Sequence, residues 1–121
     1  MSEDDRASEL SISVTTLARG VVFHLTGPLG NGAASRLRDE LLAAEGHDAS
    51  YAILDLENVS SCDDQGVGAI IAAAKRAIRT GMRLVITAPS SAVYDAMEGR
   101  GLEARIEFRN TLHEVINELE G

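Results

Sequence analysis

The stretch Ser60-Ser61-Cys62-Asp63-Asp64-Gln65-Gly66-Val67-Gly68 decides how this chain folds. Before it, Tyr51 to Leu56 is an apolar run of strand length. After it, Ala69 to Ile78 is rich in alanine and isoleucine at helical spacing. Asp63 between them has the character of a helix N-cap, since its carboxylate can accept the orphan N–H groups of a first turn. A negative side chain there also suits the positive end of the helix dipole. Gly66 and Gly68 then fall at the helix start, where each costs roughly 1 kcal/mol relative to alanine. Two explanations stay open: close packing of this backbone on a neighbouring strand, or the approach of a partner or ligand.

Outward from that turn, the chain alternates between two periodicities. Leu10, Ile12 and Val14 alternate with Ser11, Ser13 and Thr15, the period of a half-buried strand. Arg19-Gly20 supplies a turn, and Val21 to Thr26 reads as a second strand, the pair forming a hairpin. Gly27-Pro28-Leu29-Gly30-Asn31-Gly32 reads as a loop. A helix over 33–45 places Ala34, Leu37, Leu41 and Ala44 on one face, with Gly46 as its stop. A strand over 51–57 precedes the central turn. A helix over 64–80 follows, with Val67, Ile70, Ile71, Ala74 and Ile78 as its buried stripe and Gly81 as its end. Arg83 to Thr87 is a fourth strand. A short helix over 90–98 turns Val93 and Met97 inward, the Gly99-Arg100-Gly101 turn follows, and a weak strand lies at 105–107. Thr111 and Glu114 form a capping box for a last helix whose stripe is Leu112, Val115, Ile116 and Leu119. The order ββαβαβαβα implies an α/β fold: a mixed, mostly parallel sheet with an N-terminal antiparallel hairpin and about four helices. Residues 1–8 are expected to be a polar tail and 9–121 a single domain.

Composition narrows the function. A chain of 121 residues can bury roughly 60–70% of its unfolded surface without a covalent staple. Its net charge of −8 and 3% aromatic content argue against nucleic-acid binding, which draws on cationic side chains and stacking platforms. An acidic surface favours encounter with a basic protein patch instead. Cys62, the single cysteine, excludes an intrachain disulfide and a thiolate cluster. Glu3, Asp4 and Asp5 are the reverse of a cationic leader, and no apolar run approaches the roughly 18 residues of a membrane span. The expectation is a soluble, cytoplasmic protein.

Catalytic chemistry finds little support. Asp55, within or just past a central strand, lacks the acidic partners that a metal-dependent phosphoaspartate site needs. Asp63 and Asp64 are adjacent and point apart at a helix start. His24, His47 and His113 show no i,i+4 metal spacing, so no metal site and no cofactor are expected. Cys62 precedes a helix N-terminus, where a thiol pKa can fall, but no histidine stands near it in sequence, and a packed cysteine is the simpler reading. In open sheets of this kind, functional surfaces lie at the carboxyl ends of strands and at the adjoining helix starts, which is where Ser60–Gly68 falls.

The order of elements and the central turn together resemble the STAS domain, the fold of bacterial anti-sigma factor antagonists. The residues that carry the likeness span about 8–120. They are Gly27-Pro28-Leu29, Ala52-Ile53-Leu54-Asp55-Leu56, Val59, Cys62 to Gly68, Leu84-Val85-Ile86, Pro89 to Val93, and Gly101-Leu102. The resemblance implies a non-enzymatic partner switch. An antagonist binds an anti-sigma factor, usually a kinase of the histidine-kinase-like ATPase fold, and so frees a sigma factor. Phosphorylation of the second serine in a D-S-S-G motif ends that binding. Here the motif is Asp63-Asp64-Gln65-Gly66, so Gln65 occupies the phosphoacceptor-equivalent position and cannot carry a phosphate ester. The expected docking residues are Ser61, Asp63, Asp64, Gln65, Gly66 and Gly68, on a monomer or weak dimer, with Ser60 and Ser61 read as turn residues. Two alternatives are a STAS subunit of a transporter or stress-signalling complex, and a sensor of a nucleotide or other small ligand.

Overall fold

Serine, threonine and β-branched residues alternating from Ser11 to Thr16 suit a pleated strand. In the computed structural model, which describes residues 9–45, 49–88, 91–97 and 107–120, that strand is β1. The elements that follow are β2 (Gly20–Leu29), α1 (Ala33–Glu45), β3 (Tyr51–Cys62) and α2 (Asp64–Thr80). Then come β4 (Arg83–Thr87), α3 (Ser91–Met97), β5 (Glu107–Arg109) and α4 (Leu112–Glu120). The five strands form one sheet in the order β1-β2-β3-β4-β5. The β1–β2 pair is antiparallel and the other three pairs are parallel.

Strand alternation separates two cores. Val21, Phe23, Leu25, Ala52, Leu54, Leu56, Leu84 and Ile86 point to the face covered by α1, α2 and α3. Val22, Tyr51, Ile53 and Val85 point to the opposite face, where Val115 of α4 seals a smaller cluster. At the sheet's far edge Arg83 Nε of β4 lies 2.6 Å from Glu107 of β5, and Arg83 and Arg109 both reach Glu118 of α4, at 3.3 and 3.1 Å.

Several sequence expectations shift. The Gly27-Pro28-Leu29 segment, read as loop, is strand. β2 and β3 stay paired to Leu29 and Cys62, with register shifts at His24/Thr26 and Gly27/Pro28. A proline costs a ladder hydrogen bond in a regular strand but is tolerated at a bulge, so pairing with β3 overrides the local loop signal. The same pairing carries β3 past residue 57, so what was read as a long turn is mostly strand, with Asp63 alone joining it to α2. Ala34 is exposed, and α1 instead buries Ala33, Leu37, Leu41 and Ala44. Ile78 is 47% exposed and Ile71 only partly buried. The buried arc of α2 is rotated toward Ala69, Ala73 and Ala77, because α1 packs alongside and the small residues let the helices approach. Gly81 ends α2 with φ 77°, as read. Val93 is fully buried, whereas the Met97 side chain, Gly46 and the Gly99-Arg100-Gly101 turn lie outside the described residues. The last strand is described over Glu107–Arg109, sharing Glu107 with the expected 105–107, whose other two residues lie outside the described residues.

Candidate partner-binding site at the start of α2

β2 and β3 end side by side, Leu29 opposite Cys62, and the chain enters α2 through one extended residue, Asp63, with φ −98° and ψ −172°. Three hydrogen bonds hold it. Its N–H donates to the Leu29 carbonyl at 3.3 Å, its carboxylate Oδ1 accepts from the Gly66 N–H at 2.9 Å, and its carbonyl accepts from the Val67 N–H at 2.9 Å. Asp63 is therefore the N-cap, and the direction of α2 is referenced to the end of β2. Ser61, Asp63, Asp64 and Gln65 are all exposed on this corner.

The two glycines, ambiguous in sequence, have different causes. Gly66 is buried, and a Cβ there would lie 2.0 Å from the Leu29 carbonyl oxygen and 3.0 Å from Cys62 Sγ. Close packing of the helix start on β2 requires glycine at that position. Gly68 is exposed, and a Cβ there would meet nothing within 4 Å. Among the described residues nothing requires glycine at 68.

Beside this corner is an open groove of about 610 Å³ bordered by Glu9, Pro28, Asn31, Arg36, Ser61 and Asp63. The Arg36 guanidinium donates to the Leu10 carbonyl and so pins the entry of β1 to α1. The sequence reading missed this groove, because its walls come from four separate segments that only the β2–β3 pairing brings together.

Other candidate groups have structural partners. Asp55 is buried within β3. Its Oδ2 lies 3.2 Å from His24 Nδ1, and its Oδ1 accepts from Thr87 Oγ1 at 3.4 Å and from the Glu57 N–H at 3.3 Å. Thr15 Oγ1 lies 3.0 Å from His24 Nε2, so the row crosses four strands and fastens β1 to the sheet. A strand reading of the separate segments gives no register, and so could not have found it. Burial, with the Asp63 carboxylate adding to it, pushes the Cys62 thiol up from its ordinary value, against the direction a helix N-terminus alone would give. His113 lies 3.1 Å from Asn117 on α4, and His47 lies outside the described residues. Among the described residues no group of His, Cys, Asp and Glu could hold a metal ion, and no helix is long and apolar enough to cross a membrane.

The STAS domain family profile matches residues 11–115. The chain belongs to the STAS domain family. Its fold is that of solved STAS proteins, among them the anti-sigma factor antagonist SpoIIAA in its unphosphorylated form. That structure matches with a TM-score of 0.76 at 23% identity, covering 92% of this chain and 97% of that one. RsbS from Moorella thermoacetica gives a TM-score of 0.77 at 16% identity over 90% of this chain and 94% of its own. A sulfate transporter family protein from Wolinella succinogenes gives 0.75 at 20% identity over 88% of each chain. The search of curated proteins found no match. Within this STAS domain, the Asp63–Gly68 corner lies at the carboxyl end of β3, at the start of the helix that follows it.

Proposed function

We propose that this STAS domain is a non-enzymatic, protein-binding regulator of the anti-sigma factor antagonist kind. Its partner is an anti-sigma factor of the histidine-kinase-like ATPase fold, and binding releases a sigma factor. The docking face is formed by Ser61, Asp63, Asp64, Gln65, Gly66 and Gly68. Gly66 and Asp63 set its backbone, while Ser61, Asp64, Gln65 and the open Gly68 supply its surface. The observation that carries this reading is Gly68: an exposed helix position with open space around it, where alanine would make a more stable helix. The missing side chain at that one position lets another backbone come close. Gln65 makes the face constitutive. A phosphoserine would add about −1.5 to −2 charges to a surface that a partner must desolvate, and an amide side chain accepts no such ester.

The likeness to the Wolinella sulfate transporter family protein supports a second reading, in which the same face docks on a transporter subunit. Affinity capture from native extract, with wild type and Gln65→Arg run in parallel, separates the two. Recovery of an ATPase-fold protein by wild type and its loss with Gln65→Arg is the expected result. Recovery of a transporter subunit in its place overturns the first reading. Incubating the captured kinase with ATP should leave residues 60–66 unmodified, and stoichiometric phosphate on Ser60 or Ser61 would end the claim that the switch is absent.

A further inference from the structure

α1 and α2 lie side by side over the larger core, and their outward faces enclose a groove of about 190 Å³ floored by Leu37, Leu41, Ala69 and Ala73. Among the described residues, every charged one lining it is basic: Arg38 from α1, Arg76 and Arg79 from α2. That concentration stands out in a chain of net charge −8. α2 carries no acidic residue after Asp64. Asp39, beside Arg38, is 4.0 Å away with both side chains more than half exposed, so water screens the pair and Arg38 keeps most of its field. Arg38 and Arg79 are both exposed at the rim.

We propose that this groove docks an acidic amphipathic helix of a partner protein. One bulky apolar side chain seats on the Leu37–Ala73 floor, and carboxylates a turn to either side reach Arg38 and Arg79. The volume is that of about six waters at roughly 30 Å³ each, enough for a single large side chain. The chemistry of the walls selects the occupant. A small free anion could meet the arginines at the rim but would leave the floor of methyl and isobutyl groups uncovered. A helix places hydrocarbon on hydrocarbon and leaves its charges at the wet rim, the usual pattern of helix-in-groove recognition. The site goes beyond docking at the start of α2 and does not rest on it. Because Ala69 directly follows Gly68, a long enough partner covers both.

The probe is a synthetic helical peptide of about five turns, with a central leucine and glutamates three and four residues to each side. It is titrated into the isotope-labelled chain and followed by backbone amide shifts. Shifts confined to residues 34–41 and 69–79 are expected, with affinity falling at least about tenfold in Arg38→Glu/Arg79→Glu. Lys75→Glu, a charge reversal on α2 outside the groove lining, should change the affinity far less. Should the double variant not fold, Arg38→Ala and Arg79→Ala singly must each weaken binding. The proposal is overturned if a lysine-for-glutamate peptide binds as well, if poly-glutamate or inorganic phosphate produces the same shifts with equal affinity, or if the shifts fall elsewhere.

Discussion

Gly66 and Gly68 are separated by one residue, yet alanine should act in opposite directions at the two. Gly66→Ala forces a methyl group into the Leu29 carbonyl, with the N-cap bonded to the same stretch of backbone. Overpacking of this kind costs about 1–3 kcal/mol, so the melting temperature should fall. Gly68→Ala fills open space on a helix and removes a glycine from it, which should stabilise by up to about 1 kcal/mol. Thermal denaturation of both variants checks the pair. A loss at 68 as large as at 66 would show that Gly68 also serves packing, and the functional argument from it would fail. Sequence alone could not separate the two glycines. The distinction depends on Leu29 lying across from Cys62, a long-range pairing that begins in a segment whose Gly-Pro composition looks like loop.

At the level of elements, α2 shows where patterning reads correctly and where it misleads. Ile70 is fully buried and Ile78 is 47% exposed, although both lie on the stripe that large apolar residues mark out. Ile70→Ala should cost ~2–5 kcal/mol. Ile78→Ala should stay within about 0.5 kcal/mol, as surface changes usually do. Chemical denaturation of the two variants measures the difference. Both ends of α2 were legible in the sequence, from Asp63 before it and Gly81 after it. The rotation of α2 was not, since alanines carry little hydrophobic signal and become core only when a second helix packs on them. The edge of the sheet gives a pH prediction. The Arg83 guanidinium, hydrogen-bonded to Glu107, holds that carboxyl below its ordinary value of 4.5, and Arg109 does the same for Glu118. The unfolded chain therefore binds more protons than the folded one as the pH drops through this range. The contribution is present above the ordinary glutamate pKa and is lost as pH falls through the lowered folded values. Stability measured from about pH 5 downward should decline, and Glu107→Gln should flatten part of that decline. At the alkaline end Tyr51 is pushed up to about 12, by burial first and the neighbouring Glu120 carboxylate second. Its contribution, fully present below the ordinary 10.0, is lost as pH rises from there through about 12.

For the molecule as a whole, one sheet with helices on both faces leaves two differently charged surfaces on the same helix. The start of α2 carries Asp63 and Asp64, and its far half carries Lys75, Arg76 and Arg79. The element order and the mixed sheet followed from alternating strand and helix periods, as did the resemblance to the STAS domain. The polar row from Thr15 through His24 and Asp55 to Thr87 did not, because it exists only in the register of four strands. The central claim is that the exposed helix start docks a protein partner without a phosphate switch. Its most direct test is the affinity of the purified chain for the ATPase-fold anti-sigma factors of its own source, measured by calorimetry for wild type, Gly68→Arg and Gln65→Arg, with and without ATP. Wild type should bind one of them equally well in both conditions, and each variant should bind at least about tenfold more weakly with a melting temperature no lower than that of wild type. Variants that bind as tightly as wild type, or a wild-type complex that ATP dissolves with phosphate appearing on residues 60–66, would contradict it.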